Sequence, residues 1–220
     1  MMLPDLLPML AVPASPFDSP EYVFEVKYDG VRALAAVEAE SVRLWGRERS
    51  AYTARYPELS VLRRWPPGTL VDGELVALRD GLPDLASLLS RHALSDPWKI
   101  RLAGGWCPVR YVVFDLLYHA GESLLRAPLR ERRERLAALC RAVPLAEVIF
   151  SEGVMGAGRA WYEAAVAQGH EGVVAKHLAS GYQPGRRSSA WRKIKPGGHR
   201  PARRFPRRPA VSADPVDPKR

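Results

Sequence analysis

The chain lacks the features that would place it outside the cell or in a membrane. Its 220 residues include two cysteines, Cys107 and Cys140. They stand far apart and match no metal or redox spacing, so no disulfide framework or thiolate metal site is expected, and a reducing cytoplasm is the natural home. No uninterrupted apolar stretch approaches the roughly 18 residues of a spanning helix, so no membrane partner is expected. The opening "MMLPDLLPMLAVP" is apolar but short, has no basic residue and is broken by prolines. It suits a docking segment better than a signal peptide. His92, His119, His170, His177 and His199 show no ligand spacing. There is no internal repeat.

What is present is an ordinary globular composition with an uneven charge. Hydrophobic residues make up 47% and charged residues 26%, enough to bury a real core. The formal net charge is +9, yet much of it sits at the end. From Gly197 onward, seven basic residues (Arg200, Arg203, Arg204, Arg207, Arg208, Lys219, Arg220) face two acidic ones, Asp214 and Asp217. A polyanionic partner would meet that tail first. The segment is dense in proline and arginine and has almost no apolar periodicity, so residues 197–220 are expected to be disordered and 1–196 to form the folded domain.

Within that domain, "YVFEVKY", "RALAAVE" and "SVRLWG" have strand patterning, separated by short turns. "RYPELSVLRRW" has helical spacing, and "PDLASLLSRH" a helix with Pro83 near its start. "VRYVVFDLLY" is apolar almost throughout, as expected of a strand covered on both faces. "PLRERRERLAALCRA" is an amphipathic helix with a solvated charged side. "GRAWYEAAVAQG" is another, closed by Gly169. "EGVVAKH" and "AWRKIK" complete the strands. Strands in short runs between isolated helices give an α+β fold with two largely antiparallel sheets flanked by helices.

One stretch carries the chemistry. In "FEVKYDGVRALAAVE", strand alternation puts Glu25, Lys27 and Asp29 on one face and Phe24, Val26 and Tyr28 on the other. Gly30 permits a sharp exit or a close backbone approach. By itself such a lysine suits a charged strand edge better than a nucleophile. Four later strings supply what a nucleophile would need. "VDGELV" places Asp72 and Glu74 on one strand face, and "VVFDLLY" presents Phe114 from a buried strand. "EGVVAK" runs from Glu171 to Lys176, and "SSAWRKIK" sets Trp191, Lys193 and Lys195 on a common face.

In this order the strings resemble the nucleotidyltransferase motifs of ATP-dependent DNA ligases. They are most similar to the ligase domain of bacterial non-homologous end-joining ligases, over roughly residues 8 to 196. The resemblance implies the nucleotidyltransferase (ATP-grasp-like ligase adenylation) fold and a bacterial, cytoplasmic and nucleoid-associated monomer. It implies that Lys27 attacks the α-phosphorus of ATP, giving lysyl-AMP and pyrophosphate. AMP then passes to a DNA 5′-phosphate, and a 3′-hydroxyl seals the nick in repair or end joining. An amine attacks only when deprotonated, and a free lysine has a pKa of about 10.4. Cations such as Lys193, Lys195 and a bound Mg2+ or Mn2+ would lower it. Glu171 would hold that metal, and Asp29 would orient Lys27 or assist the later hydroxyl attack. Phe114 would stack on adenine and Glu74 would accept from the ribose. Arg32 and Arg47 would line the sugar and phosphate side, and Glu25 would lie at the adenine edge. Arg187 would contact phosphate, with Arg186 interchangeable in that role. Trp191 and Tyr111 are expected as core.

Members of this family normally carry a C-terminal OB-fold, and 25 proline-rich residues after Lys195 are not expected to close a barrel. Three readings follow: a minimal ligase on nicked or broken duplex DNA, a catalytic subunit completed in trans by an OB-fold or end-joining protein, or a nucleotide- or DNA-end-binding module without turnover. An RNA ligase or capping-type enzyme shares the lysyl chemistry.

Overall fold

A computed structural model describes residues 2–197. Apart from Gly197, the segment expected to be disordered lies outside the described residues. The first half contains β1 (Leu10–Pro13), β2 (Ser19–Val26), β3 (Val31–Val37), β4 (Val42–Trp45), β5 (Thr69–Arg79), β6 (Leu82–Pro83), α1 (Leu85–His92) and α2 (Pro97–Trp106). The second contains β7 (Val109–His119), β8 (Glu122–Ser123), α3 (Leu129–Ala142), β9 (Val148–Phe150), β10 (Gly153–Gly156), α4 (Gly158–Ala167), β11 (Val173–His177) and β12 (Arg187–Ile194). No described helix is long and apolar enough to cross a membrane.

The strands form two sheets. One has the order β1-β12-β11-β2-β10, and the other runs β4-β3-β5-β7-β8 with β6 beside β5 and β9 beside β7. Pairing is antiparallel except for β1 with β12 and β7 with β9. The α+β architecture with two largely antiparallel sheets is thus as the sequence pattern indicates.

Three apolar layers follow from strand alternation. Tyr22, Phe24, Val173, Ala175 and Ile194 pack outward against Ala165 of α4. Ala33, Ala35, Val71, Leu75, Tyr111 and Val113 pack outward from the other sheet, against Leu136 and Leu139 of α3. Between the sheets, Leu34, Ala36, Leu70, Phe114, Leu117 and Trp191 close the inner layer.

β7 departs from strict alternation, and this sets the site. Its register with β5 shifts twice, so that Phe114 and Leu117 are passed over in the pairing. These bulges turn both side chains toward the other sheet while Val113 and Leu116 stay in the outer core. The continuous apolar run is therefore covered on both faces, as expected, but with a phase the sequence does not show.

Other local expectations need correction. "RYPELSVLRRW" is not an α-helix but two 3-10 segments, Thr53–Arg55 and Pro57–Arg64. Tyr56, Leu59, Leu62 and Trp65 are all buried, and their spacing of three matches the eclipsed repeat of a 3-10 helix. Full burial of such side chains stabilises by about 1.5–3 kcal/mol each. Pro83 belongs to β6, and α1 is capped instead by Asp84, whose carboxylate accepts from Ser87 N at 3.0 Å. The sequence reading missed α2, begun by Asp96 and Pro97, because Trp98, Leu102 and Trp106 stand on its exposed side and blur the apolar periodicity. The opening segment docks by forming β1 against β12. The charged side of α3 is not wholly solvated: Arg132 is fully buried and pairs with the equally buried Asp115 at 2.7 Å.

Candidate active site

Lys27 leaves the end of β2, where the sheet contact continues for one more residue through Lys27 N donating to Gly172 O at 2.9 Å. Glu171 also lies just outside its strand, since β11 begins at Val173. Gly172 between them has φ +134, and a Cβ there would stand 2.1 Å from Ile194 O. Only a glycine lets the chain pass this close under the end of β12. The consequence is a three-residue cluster. Lys27 Nζ donates to Glu171 Oε2, and Lys195 Nζ donates to Oε1 of the same carboxylate. Asp29 is half-buried two residues beyond Lys27.

The carboxylate is ionised in this setting. Burial pushes the Glu171 carboxyl up, but the charge of Lys27 and the hydrogen bonds of both lysines outweigh it and hold it below its ordinary value. Lys193 extends the cationic edge. Its pKa is lowered by burial and then by Lys195, Arg187, Lys27 and Arg47. Five positive side chains thus act on one region. Arg47 reaches it from the exposed turn after β4. Arg187 is exposed at the start of β12, where its Nη1 donates to Ala11 O at 2.7 Å. Arg186 beside it is also exposed.

The second sheet contributes Arg32, Asp72, Glu74 and Phe114 to the inner face. Arg32 and Glu74 are register partners on β3 and β5. Gly30 brings the loop from Lys27 onto Glu74, because a Cβ there would lie 2.8 Å from Glu74 Cγ. Burial raises the Glu74 carboxyl, against the pull of Arg32, Lys27 and Arg47. Arg32 is held in place by a buried carboxylate. Its Nε and Nη2 each donate to a buried Asp72 oxygen at 2.6 Å, which raises its pKa although burial opposes the charge. Tyr182 donates to the same carboxylate at 2.6 Å.

Phe114 lies edge-on to Trp191, with centroids 6.0 Å apart. The Arg32 guanidinium carbon is 4.5 Å from its ring centre, and Lys176 Nζ is 3.9 Å from it. Glu25 is 2% exposed, and its carboxylate is held by Lys176, Ser151 Oγ and Arg133. It is therefore buried and engaged by three donors. Trp191 and Tyr111 are buried, as expected.

The structure thus brings Lys27, Glu171, Lys193 and Lys195 together, with Glu74 and Phe114 on the facing sheet. Lys176, Arg133, Asp72 and Tyr182 escaped the sequence reading as site residues. Lys176 ends the "EGVVAK" string and Asp72 opens "DGELV", so both had a motif signal. Tyr182 stands in "GYQPGRRSSAWRKIK", the stretch that leads into the closing lysines, whereas Arg133, on a helix with an arginine-rich charged side, had no such signal.

Two facing sheets, with a lysine from the end of β2 among cations and a carboxylate, define a nucleotidyltransferase fold. The chain belongs to the ATP-dependent DNA ligase domain family, whose profile matches residues 8–195. It is 36% identical over 205 residues to a "Probable DNA ligase" of Anaeromyxobacter sp. (strain Fw109-5), covering 88% of this chain and 38% of the relative. It is 36% identical over 183 residues to the "Multifunctional non-homologous end joining protein LigD" of Pseudomonas aeruginosa, covering 80% of this chain and 20% of the relative. A solved mycobacterial DNA ligase D complexed with ATP and MES superposes with a TM-score of 0.73 at 31% identity, covering 87% of this chain and 60% of the other. The chain therefore spans less than two thirds of each of these proteins.

Proposed function

We propose that the chain is the catalytic core of an ATP-dependent DNA ligase that carries AMP on Lys27. The observation that carries this is the Lys27–Glu171–Lys195 cluster, bordered by Lys193, Arg187 and Arg47. Lys27 Nζ attacks the α-phosphorus of ATP. The N–P bond forms as the bond to the pyrophosphate oxygen breaks, and Glu171 Oε2 is the acceptor beside the departing Nζ proton. Lys193 and Lys195 with Arg47 and Arg187 neutralise the phosphates and the pyrophosphate that leaves. Phe114 supplies a ring for adenine and Glu74 an acceptor for the ribose hydroxyls. Arg32 lines the sugar side while Asp72 fixes its orientation. AMP then passes to a DNA 5′-phosphate, and a 3′-hydroxyl displaces it to seal the nick, while Asp29 orients Lys27 or assists that hydroxyl.

The donor set admits Mg2+ or Mn2+. Glu171 would hold such an ion, its carboxylate being a hard oxygen donor of the kind these cations take. Such an ion supplies charge neutralisation at the phosphates.

A second reading concerns the steps after the lysyl one. In it these residues perform the lysyl step, and an OB-fold or end-joining protein completes strand sealing in trans. The test of the common step is mass spectrometry after incubation with ATP and Mg2+. One AMP adduct on Lys27, lost in Lys27→Ala, is expected; no adduct on protein freed of bound AMP would overturn both readings.

A further inference from the structure

Beside Phe114 lies a buried charge cluster that the lysyl chemistry does not use. Lys176 Nζ lies 3.9 Å from the Phe114 centroid and 4.5 Å from that of Trp191. Its carboxylate partner is Glu25, at 2.8 Å through Oε2. Ser151 Oγ donates to that same oxygen at 2.9 Å. The other oxygen, Oε1, accepts from Arg133 Nη1. Arg133 comes from α3, outside both sheets, and its Nη2 also donates to Ser151 O at 3.1 Å. Its guanidinium carbon lies 5.1 Å from the Phe150 ring centre.

The cluster is nearly dry. Glu25 and Lys176 are each 2% exposed, and the Arg133 side chain is 12% exposed. In so little water a carboxylate needs donors on both oxygens, since each unmet acceptor carries a full desolvation penalty. Arg133 meets the Oε1 requirement and, by bonding Glu25 and Ser151 together, fixes the rotation of the carboxylate. That rotation decides where Oε2 points, and Oε2 decides where the Lys176 ammonium sits on Phe114.

We propose that Arg133 is a positioning residue for the base end of the nucleotide cleft, acting through Glu25 on the Lys176–Phe114 pair. The proposal rests on the reading of Phe114 as the adenine platform. It assigns Arg133 to nucleotide binding, not to the chemical step, because its hydrogen bonds go to Glu25 and Ser151. Removing the guanidinium lets Glu25 rotate and frees Lys176 from its seat. The loss falls on bound ATP and on the transition state alike, so it raises KM and leaves the maximal rate in place.

The test is single-turnover self-adenylation against ATP concentration for wild type, Arg133→Met and Arg133→Lys. Arg133→Met keeps the apolar stem and removes the donors. Its expected half-saturating ATP concentration is about tenfold higher, the ratio set by about 1.4 kcal/mol, with a saturating rate within about twofold of wild type. Arg133→Lys recovers part of the shift. A merely structural role would lower the amplitude of adenylation at every ATP concentration and leave half-saturation unchanged; that result overturns the proposal. If Arg133→Met does not fold, Ser151→Ala decides. It removes another donor to Glu25, and a smaller rise in half-saturation is expected, whereas no rise overturns the proposal. Failure of wild type itself to form an adduct would instead sink the ligase reading.

Discussion

Glu171 binds Lys27 through one carboxylate oxygen and Lys195 through the other. The first lysine arrives from β2 and the second follows β12, so one carboxylate ties two strands together at the point where chemistry is proposed. Glu171→Gln keeps the shape and removes the charge. Adenylation at saturating ATP is expected to fall at least about 100-fold, and a rate near wild type would remove Glu171 from the reaction. Stability carries a pH signature too. A carboxyl held below its ordinary value stabilises the fold above its unfolded pKa, about 4.3, and that contribution disappears as pH falls through the lower folded value. The gap in Tm between wild type and Glu171→Gln should therefore be widest near neutrality and narrow in acid.

Glu74 has the opposite sign. Burial raises its carboxyl, so ionised Glu74 opposes folding above its folded pKa, and the opposition is relieved as pH falls. Glu74→Gln should raise Tm at neutral pH, with the gain fading in acid. ATP binding should weaken about tenfold through loss of a charge-assisted hydrogen bond to the ribose. Calorimetry and titration read the two effects separately. A fall in both would mark Glu74 as a structural support.

Asp115 and Arg132 are both fully buried and make two hydrogen bonds, at 2.7 and 2.9 Å. Arg132 also donates to Ala127 O and Ser180 O, so it ties β7, α3 and the loop after β11. Breaking one side of such a pair costs about 3–5 kcal/mol, because the other charge stays buried without compensation. Arg132→Met should lower Tm by roughly 6–20 °C for a domain of this size. Adding Asp115→Leu to it should recover part of the loss. Without any recovery, the cost of Arg132→Met would lie in its carbonyl hydrogen bonds and not in the charge pair.

Residues 198–220 carry seven Arg and Lys against two Asp. Deleting them should weaken binding to nicked duplex and flatten its salt dependence, by roughly 0.9 in the log–log slope for each DNA phosphate the segment neutralises. Unchanged binding would make the segment irrelevant to DNA. Sealing assays on the same duplex then separate the two readings of function. Sealing by the chain alone favours the first, and sealing that needs an added OB-fold protein favours the second.

The sequence alone determined the order of chemical parts: a lysine before Asp-Gly, an acidic strand, a strand-borne phenylalanine, a Glu-Gly turn and a closing pair of lysines. Residue type and spacing are local properties, and alternation alone puts Asp72 with Glu74 and Lys193 with Lys195. Tertiary structure decided which of these meet. Glu171 and Lys195 converge because Gly172 tolerates a backbone approach that no side chain would survive. Phe114 faces the cleft because β7 bulges against β5, a register event with no signature in a run of apolar residues. Glu25 shares the alternation of Lys27 yet is buried, because Arg133 and Ser151 approach from elements far away in the chain. Long-range approach of charged side chains depends on packing between layers, and a linear pattern carries no record of it.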